Sequence, residues 1–429
     1  MTEQHDIRQG TAGRRPLALL ALTCGVAVGN VYFPQAISPL VADGLGVSPG
    51  SAASVVTATQ FGYAAGIFLL VPLGDRLCPR RLIVTLLTLT GLGLLAASSA
   101  RALLPLTVAS LLVGVSTVVA PLAGSLAAGL VPAERRGVVG GTLLSGSIAG
   151  MLLSRTFGSA LGDWLGWRAP YVLSAVLSLT AAALLARALP TTPPSVTHRY
   201  PALLAAPLRL LRTEPELRRS CLYQAAVFAG FSAVWTGVTL LLTGPAYGMS
   251  ARSAGLLALV NAATMLCTPA AGRLVDRRGP DAVNLGCFLV VGVSAPVLAL
   301  GGPGGAAGLT ALVVGTLLLD VGMQCGMVAN QVRIFALRAD VRSRLNTAYM
   351  TCAYLGGTAG SWLGARAYAG FGWLGVCALV AVLTVAALAR HLSATVLHSQ
   401  DQVRSKERPL PVTSRTVTGC RAFTDDCSS

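Results

Sequence analysis

Twelve runs of predominantly apolar residues follow one another along this chain, roughly at 17–40, 51–73, 81–100, 104–130, 138–162, 168–189, 220–243, 253–271, 281–300, 306–332, 346–369 and 372–391. A hydrocarbon core about 30 Å thick is crossed by about 20 apolar residues in an α-helix, a form that leaves no backbone group unbonded in lipid. Each run is therefore expected to be a transmembrane helix, and the chain an all-α integral membrane protein. The composition agrees, since 54% of the residues are hydrophobic and only 11% are charged, a balance too apolar for a surface in water. The segment "LALTC", ending at Cys24, resembles a lipoprotein cleavage site, but Thr23 fits such a site poorly and further spans follow.

The formal net charge of +16 would suit a nucleic-acid partner if it lay on one face. It does not. Arginines gather in alternate connections: Arg76, Arg80 and Arg81; Arg135 and Arg136; Arg209, Arg212, Arg218 and Arg219; Arg273, Arg277 and Arg278; then Arg338, Arg342 and Arg344. The other connections hold mainly Arg101, Arg168 and Arg252. By the positive-inside rule the dense set and both termini are expected in the cytoplasm. The basic excess is thus topology, with some attraction to anionic lipid, and no nucleic-acid partner is expected. The ten cysteines are scattered, mostly within spans and without a CxxC pair, and read as small apolar residues.

The stretch "LPTTPPSVTHRYPALLAAPLRLLRTEPELRRS", Leu189 to Ser220, is too polar to span and separates two groups of six runs. The expected organisation is a cytoplasmic tail (1–16), a six-helix bundle (17–189), a cytoplasmic central loop (190–219), a second six-helix bundle (220–391) and a polar, disordered cytoplasmic tail (392–429). The halves echo each other at an offset of about 200 residues, the mark of an internal repeat. "LGDRLCPRRLI" (Leu73 to Ile83) recurs as "LVDRRGPDAVN" (Leu274 to Asn284), and "LGWRAPYVL" (Leu165 to Leu173) as "FGWLGVCAL" (Phe371 to Leu379). "ERRGVVGGTLLSGSIAG" (Glu134 to Gly150) has a looser counterpart in "RSRLNTAYMTCAYLGG" (Arg342 to Gly357).

"GRLVDRRG" (Gly272 to Gly279) resembles the signature of the major facilitator superfamily, Gly-x-Leu-x-Asp-Arg-x-Gly, found between helices 2 and 3 and again between helices 8 and 9. The first copy keeps Leu73, Asp75, Arg76, Arg80 and Arg81, with Val71 and Cys78 where that family has glycine. The resemblance implies the fold of that superfamily: 12 transmembrane helices as two pseudo-symmetric six-helix bundles, working by alternating access. It also implies that Asp75, Arg76, Arg80 and Arg81, with Gly272, Asp276, Arg277 and Gly279, form a conformational latch, because an aspartate at a helix end accepts bonds from exposed amides and from a neighbouring arginine. The alternative reading is that the aspartates only cap helices while the arginines fix topology.

"NVYFPQAISPL" (Asn30 to Leu40), "TATQFGYAAG" (Thr57 to Gly66), "LLSRTFG" (Leu152 to Gly158), "LYQAAVFAGFSAVWT" (Leu222 to Thr236) and "NQVRIFALRADVRSRLNTAYM" (Asn330 to Met350) are similar to bacterial exporters of drugs and small molecules. The arginine common in the fourth helix of proton-driven exporters has no counterpart in "VASLLVGVSTVVAP" (Val108 to Pro121).

A charge at membrane depth costs about 2.5–3.5 kcal/mol on insertion scales and calls for a partner or a wet cavity. Arg155 and Asp320 are such charges. At about 1.5 Å per residue their depths differ by under about 10 Å, so both are expected to face one central cavity, Asp320 titrating with the coupling proton and Arg155 setting its charge environment or binding an anionic part of cargo. A fixed structural ion pair is the alternative.

Gln224, Phe228, Phe231 and Trp235 fall on one helical face, as do Asp320, Gln324 and Gln331. With Asn30, Tyr32, Gln35, Gln60 and Tyr63 from the first half, the residues Gln224, Phe231, Trp235, Gln324 and Gln331 are expected to line the substrate cavity, since glutamine against lipid is costly; Phe228 suits packing or pocket. Glycines spaced for close helix contact mark span 5 (Gly146, Gly150, Gly158, Gly162) and span 11 (Gly356, Gly360, Gly364).

The chain holds no GxxxxGK[ST] loop and no HExxH or metal-ligand spacing among its four histidines. No catalytic residue, cofactor or metal is therefore expected, and an ion gradient is the energy source. The expected function is proton-coupled export of a drug-like or biosynthetic small molecule from the plasma membrane by a monomer, with proton symport of a sugar, nucleoside or other nutrient as the alternative. The partners are the substrate, protons and the bilayer.

Overall fold

The computed structural model describes residues 14–130, 136–189, 200–338 and 341–407. The described residues are almost wholly helical and include no strand. The first part of the chain forms α1 (Arg14–Leu45), α2 (Pro49–Leu70), α3 (Pro79–Ser98), α4 (Leu103–Ser116), α5 (Val119–Leu130), α6 (Arg136–Leu165) and α7 (Arg168–Ala188). There follow α8 (Tyr200–Thr213), α9 (Pro215–Thr243), α10 (Ala251–Asn261), α11 (Cys267–Ala299), α12 (Gly305–Leu337) and α13 (Arg342–Glu407). Proline opens α2, α3 and α9, where its missing N–H costs nothing. Ser48 also caps α2, its Oγ accepting from the Ser51 N–H at 3.2 Å.

Among the described residues, ten helical stretches are long and apolar enough to cross a membrane. Two of them, Ala251–Ala299 with 49 residues and Arg342–Ala394 with 53, are each more than twice the length a bilayer needs. Both are broken by a glycine in a left-handed conformation: Gly279 at φ 78° and Gly372 at φ 63°. At each the chain turns back. Cys267, Leu274 and Arg278 before Gly279 face Ala282, Gly286 and Val290 after it across one cleft. Around Gly372, Gly356 and Gly364 meet Ala225 and Ala233 of α9 in ascending order, whereas Val376 and Val380 meet Gly237 and Gly230 in descending order. Divided at these glycines, the stretches follow one another in the order of the expected spans. Span 4 is α4 and α5 together, interrupted where the Thr117 hydroxyl donates to the Ala27 carbonyl at 2.8 Å.

Large apolar side chains such as Leu22, Leu104, Phe157, Phe371 and Val382 are exposed on the outside, as lipid solvent allows. The centre is occupied by α9, whose apolar window is 89% buried. Glycines set the closest approaches. Gly25, Gly29 and Phe33 of α1 pack on Gly150, Ser154 and Gly158 of α6; about 200 residues later Ala225, Ala229 and Ala233 of α9 pack in the same register on Gly356, Gly360 and Gly364 of α13. The sequence repeat is thus a repeat of helix pairing.

Two expectations differ from the structure. Within the stretch expected to be loop (190–219), residues 200–213 form α8, whose Leu203, Pro207 and Leu210 are buried while Arg209 and Arg212 are exposed, and α9 begins at Pro215 rather than 220. The chain divides into Met1–Leu388 and Ala389–Ser429, and in the second unit helix continues to Glu407, through much of the tail expected to be disordered. The remainder of that tail, 408–429, and residues 1–13 lie outside the described residues.

Candidate functional site

A cavity of about 460 Å³ lies among α1, α2, α5, α6, α9, α12 and α13. Its walls carry aromatic rings (Tyr32, Tyr63, Phe228, Tyr354), thioethers (Met151, Met323, Met327, Met350) and amides (Gln224, Gln324, Gln331, Asn346). No charged side chain lines it among the described residues. The cavity extends toward Gly124, Gly140, Phe335 and Asn346, the residues next to two of the arginine-bearing connections.

At its other end the helices close. The Thr156 hydroxyl of α6 donates to the Gly255 carbonyl of α10 at 2.8 Å. The Arg252 backbone N–H donates to Asp163 Oδ2 at 2.9 Å, and the Arg252 guanidinium lies 5.2 Å from the Trp164 ring centre. Gly255 is pressed against Arg155, Thr156 and Ser159 so tightly that a Cβ there would sit 2.1 Å from Ser159 Oγ.

The floor is aromatic. The Tyr32 and Tyr354 hydroxyls meet at 3.1 Å across the two sets of six spans, and Tyr63 and Phe228 pack edge-on to Tyr354. Beneath lies Arg155, 1% exposed. Its guanidinium carbon is 4.3 Å from the Trp235 ring centre, 5.0 Å from Tyr32 and 5.4 Å from Phe231, close enough for cation–π attraction. Its Nη2 donates to Gln35 Oε1 at 2.8 Å, while Nε and Nη1 have no hydrogen-bond partner among the described residues. The Trp235 Nε1–H in turn donates to Asp320 Oδ1 at 3.2 Å.

The structure brings together Tyr32, Tyr63, Gln224, Gln324 and Gln331 as cavity wall. It places the others elsewhere. Asn30 is directed to Thr117 and Ser178 within the first half, and Gln35 is engaged by Arg155. Gln60 reaches Ser232 at 3.5 Å. Phe231 and Trp235 lie below the floor around Arg155, because the face they share with Gln224 and Phe228 runs deeper than the cavity does. Arg155 and Asp320 do not line the cavity either, and no ion pair within 4.0 Å joins them, because the Trp235 indole stands between.

The expected latch also differs. Arg80 donates to the Ala186 carbonyl near the C-terminus of α7, a helix-end contact, and Arg76 and Arg81 are exposed. Asp276 and Arg277 are exposed and make no ion pair among the described residues; the Asp75 side chain lies outside the described residues. Gly272 faces open space and Gly279 makes the reversal. The charge cluster forms instead around Asp281, which accepts from Arg219 of α9 and Arg333 of α12, with Glu216 3.5 Å and 3.6 Å from the same two arginines. The pattern held a sign of it: "RRGPD" puts an acid where the first copy, "RLCPR", has Arg80. Tyr354, Asn346 and the four methionines were missed, although Met323 and Met327 sit one turn apart beside Gln324.

A polytopic bundle with helix pairings repeated between its halves, and a central cavity sealed at one end, defines a membrane transporter rather than an enzyme. The model of the Major Facilitator Superfamily matches residues 19–336 and 221–421, and the chain belongs to that family. It is 35% identical over 362 residues to the uncharacterized transporter YgaY of Escherichia coli O157:H7, covering 84% of this chain and 91% of that one. It is 30% identical over 290 residues to a chloramphenicol resistance protein of Streptomyces lividans, covering 67% and 71%. A crystal structure of the nucleoside transporter NupG superposes with a TM-score of 0.74 over 88% of this chain and 98% of that one, at 13% identity, a likeness of fold.

Proposed function

We propose that this transporter exports an uncharged, amphipathic, aromatic small molecule by proton antiport, with Asp320 the titrating group. The observation that carries the reading is the chemistry of the cavity wall: rings, thioethers and amides without a charged side chain. Such a wall stacks and hydrogen-bonds a flat neutral cargo and leaves any ion on that cargo unpaired. Thioethers adapt to varied shapes. The relative named for chloramphenicol resistance supports export of a compound of this kind.

In this reading the bundles 17–189 and 220–391 rock about the cavity in the inner membrane, with both termini cytoplasmic. The conformation described is inward-facing, since the cavity leads toward the arginine-bearing connections. Asp320 is a buried acid beneath the floor, bonded to Trp235, where a proton's arrival changes the local charge.

The test is accumulation of chloramphenicol and a panel of neutral aromatic amides in cells with and without the protein, with and without a protonophore. Lower accumulation that the protonophore abolishes is expected, as is a flattened pH dependence of transport in Asp320→Asn. Equal accumulation across the panel would sink export, and higher accumulation would favour uptake by symport.

A further inference from the structure

The helix pairing that repeats between the halves changes character at a pair of cysteines. In the first half Gly146 and Gly150 of α6 lie against Ala21 and Gly25 of α1; in the second, Gly356, Gly360 and Gly364 of α13 lie against Ala225, Ala229 and Ala233 of α9, at the same four-residue steps. One turn before Gly356 and Ala225 come Cys352 and Cys221, the counterparts of Gly146 and Ala21. The register therefore sets two thiols opposite each other where the first half has only glycine and alanine, on parallel backbones that touch one turn further on. The two side chains face each other, Cys221 buried and Cys352 partly exposed.

Further soft donors and a cation gather at the same place. Met327 of α12 and Met350 of α13 pack on the apolar cluster that holds Cys221 and Cys352. The Tyr349 hydroxyl ties the three helices together, bonded to Gln224 Oε1 at 3.0 Å and to the Met327 carbonyl at 3.4 Å. Tyr349 is also close enough to Cys221 and to Arg333 for the charge of either to act on it. Arg333 is buried, and its Nη1 has no hydrogen-bond partner among the described residues. Thiolates and thioethers select soft cations such as Cu(I). Zinc wants four nitrogen, sulfur or oxygen ligands, and no group of three or more His, Cys, Asp or Glu that could hold a metal occurs among the described residues.

We propose that Cys221 and Cys352, backed by Met327 and Met350, form a binding site for a soft monovalent cation of the Cu(I) class, at the arginine-bearing end of α9 and α13. Binding is ligand exchange without redox: two S–H bonds give way to two sulfur–metal bonds, and both protons leave to water. Dithiolate and cation together carry one negative charge, and Arg333 is a buried cation nearby that offsets it. Met327 and Met350 also line the cavity, so the thioethers lead from the cavity to the thiols. The site is independent of which cargo the cavity takes and of what drives transport.

The test uses the full chain, purified with its thiols reduced and kept free of oxygen, with Cu(I) supplied from its bathocuproine disulfonate complex and Zn(II) as the control. Wild type is expected to draw Cu(I) from the chelator, to melt at a higher temperature once it is bound, and to shield Cys352 from a maleimide, read by peptide mass spectrometry. Zn(II) is expected to do none of these. Cys221→Ala and Cys352→Ala are expected to lose the copper-dependent rise in melting temperature, and Cys221→Ala to lose the shielding of Cys352. Both variants are expected to fold, because alanine and glycine fill the equivalent positions 21 and 146, and their melting without copper checks this. Met327→Leu combined with Met350→Leu is expected to weaken Cu(I) binding, and unchanged affinity would overturn the thioethers' share in the site. If either cysteine variant keeps the full copper response, the ion is held by other thiols and the proposal falls. If wild type draws no Cu(I), or if mapping finds Cys221 and Cys352 joined as a disulfide that no metal displaces, the pair is not a metal site and the proposal falls likewise.

Discussion

A Cβ placed on Gly150 of α6 would lie 2.0 Å from the carbonyl oxygen of Gly25 on α1, so these two backbones touch with no room for any side chain between them. Lipid supplies no hydrophobic drive between helices, and close backbone packing is what holds them together. Gly150→Ala is therefore expected to destabilise the protein by about 1–3 kcal/mol, the usual cost of overpacking, and Gly150→Leu by more. Gly140, on the same helix, has nothing within 4 Å of its missing Cβ. Gly140→Ala should be neutral or stabilising by up to about 1 kcal/mol through helix propensity. Thermal unfolding of the purified variants checks both, and equal melting temperatures for the two alanines would contradict the assignment.

Gly255 gives a conformational counterpart. Its missing Cβ would stand 2.9 Å from the Thr156 Cα and 2.1 Å from Ser159 Oγ, contacts that exist only while this end is shut. Gly255→Leu is expected to penalise the sealed state by about 1–3 kcal/mol, which shifts the open-to-shut ratio about fivefold or more. Accessibility of the cavity floor to a membrane-impermeant thiol reagent, read at a cysteine introduced at Ser232 and measured from the sealed side, should rise accordingly. Unchanged labelling would show that α6 and α10 do not form the seal.

The fold was legible because its determinants are local and repeated: apolar runs set the spans, arginines mark alternate connections, and glycines four apart mark the close helix pairs. The site was legible in part. Helical spacing groups Gln224, Gln324 and Gln331 on faces, and in the structure these line one cavity, but spacing carries no depth. Phe231 and Trp235 continue the face of Gln224 past the point where this cavity ends, and their rings lie beside Arg155. Asn30 is polar for a reason internal to the first half, its bonds to Thr117 and Ser178. The Asp281 cluster draws its arginines from α9 and α12, at separations that only the folded chain brings together.

That cluster separates a structural charge from a surface one. Arg219 and Arg333 are nearly buried, and Asp281 accepts from both. Asp281→Asn weakens two charge-assisted bonds and leaves two cations less compensated, at an expected cost of about 2 kcal/mol. Asp276, the signature aspartate, is exposed and outside any ion pair among the described residues, and Asp276→Asn should leave the melting temperature where it was. If Asp276→Asn destabilises as much as Asp281→Asn, the charge contacts of this conformation have been misassigned.

The cavity wall predicts how cargo is held. Gln224 Oε1 accepts from the Tyr349 hydroxyl at 3.0 Å, which fixes the amide while its remaining valences face the cavity. Gln224→Leu removes that amide, while Tyr349 keeps its longer contact to the Met327 carbonyl at 3.4 Å. One hydrogen bond to cargo is worth about 1 kcal/mol, so the apparent KM for a transported neutral aromatic cargo in inverted membrane vesicles should rise about fivefold with little change in maximal rate. Phe228→Ala removes stacking area and not a polar contact, so it should weaken neutral aromatic cargos alike, whatever hydrogen-bonding groups they carry. Should Gln224→Leu and Phe228→Ala give the same selectivity profile across such cargos, the division of the wall into stacking and hydrogen-bonding parts would be wrong.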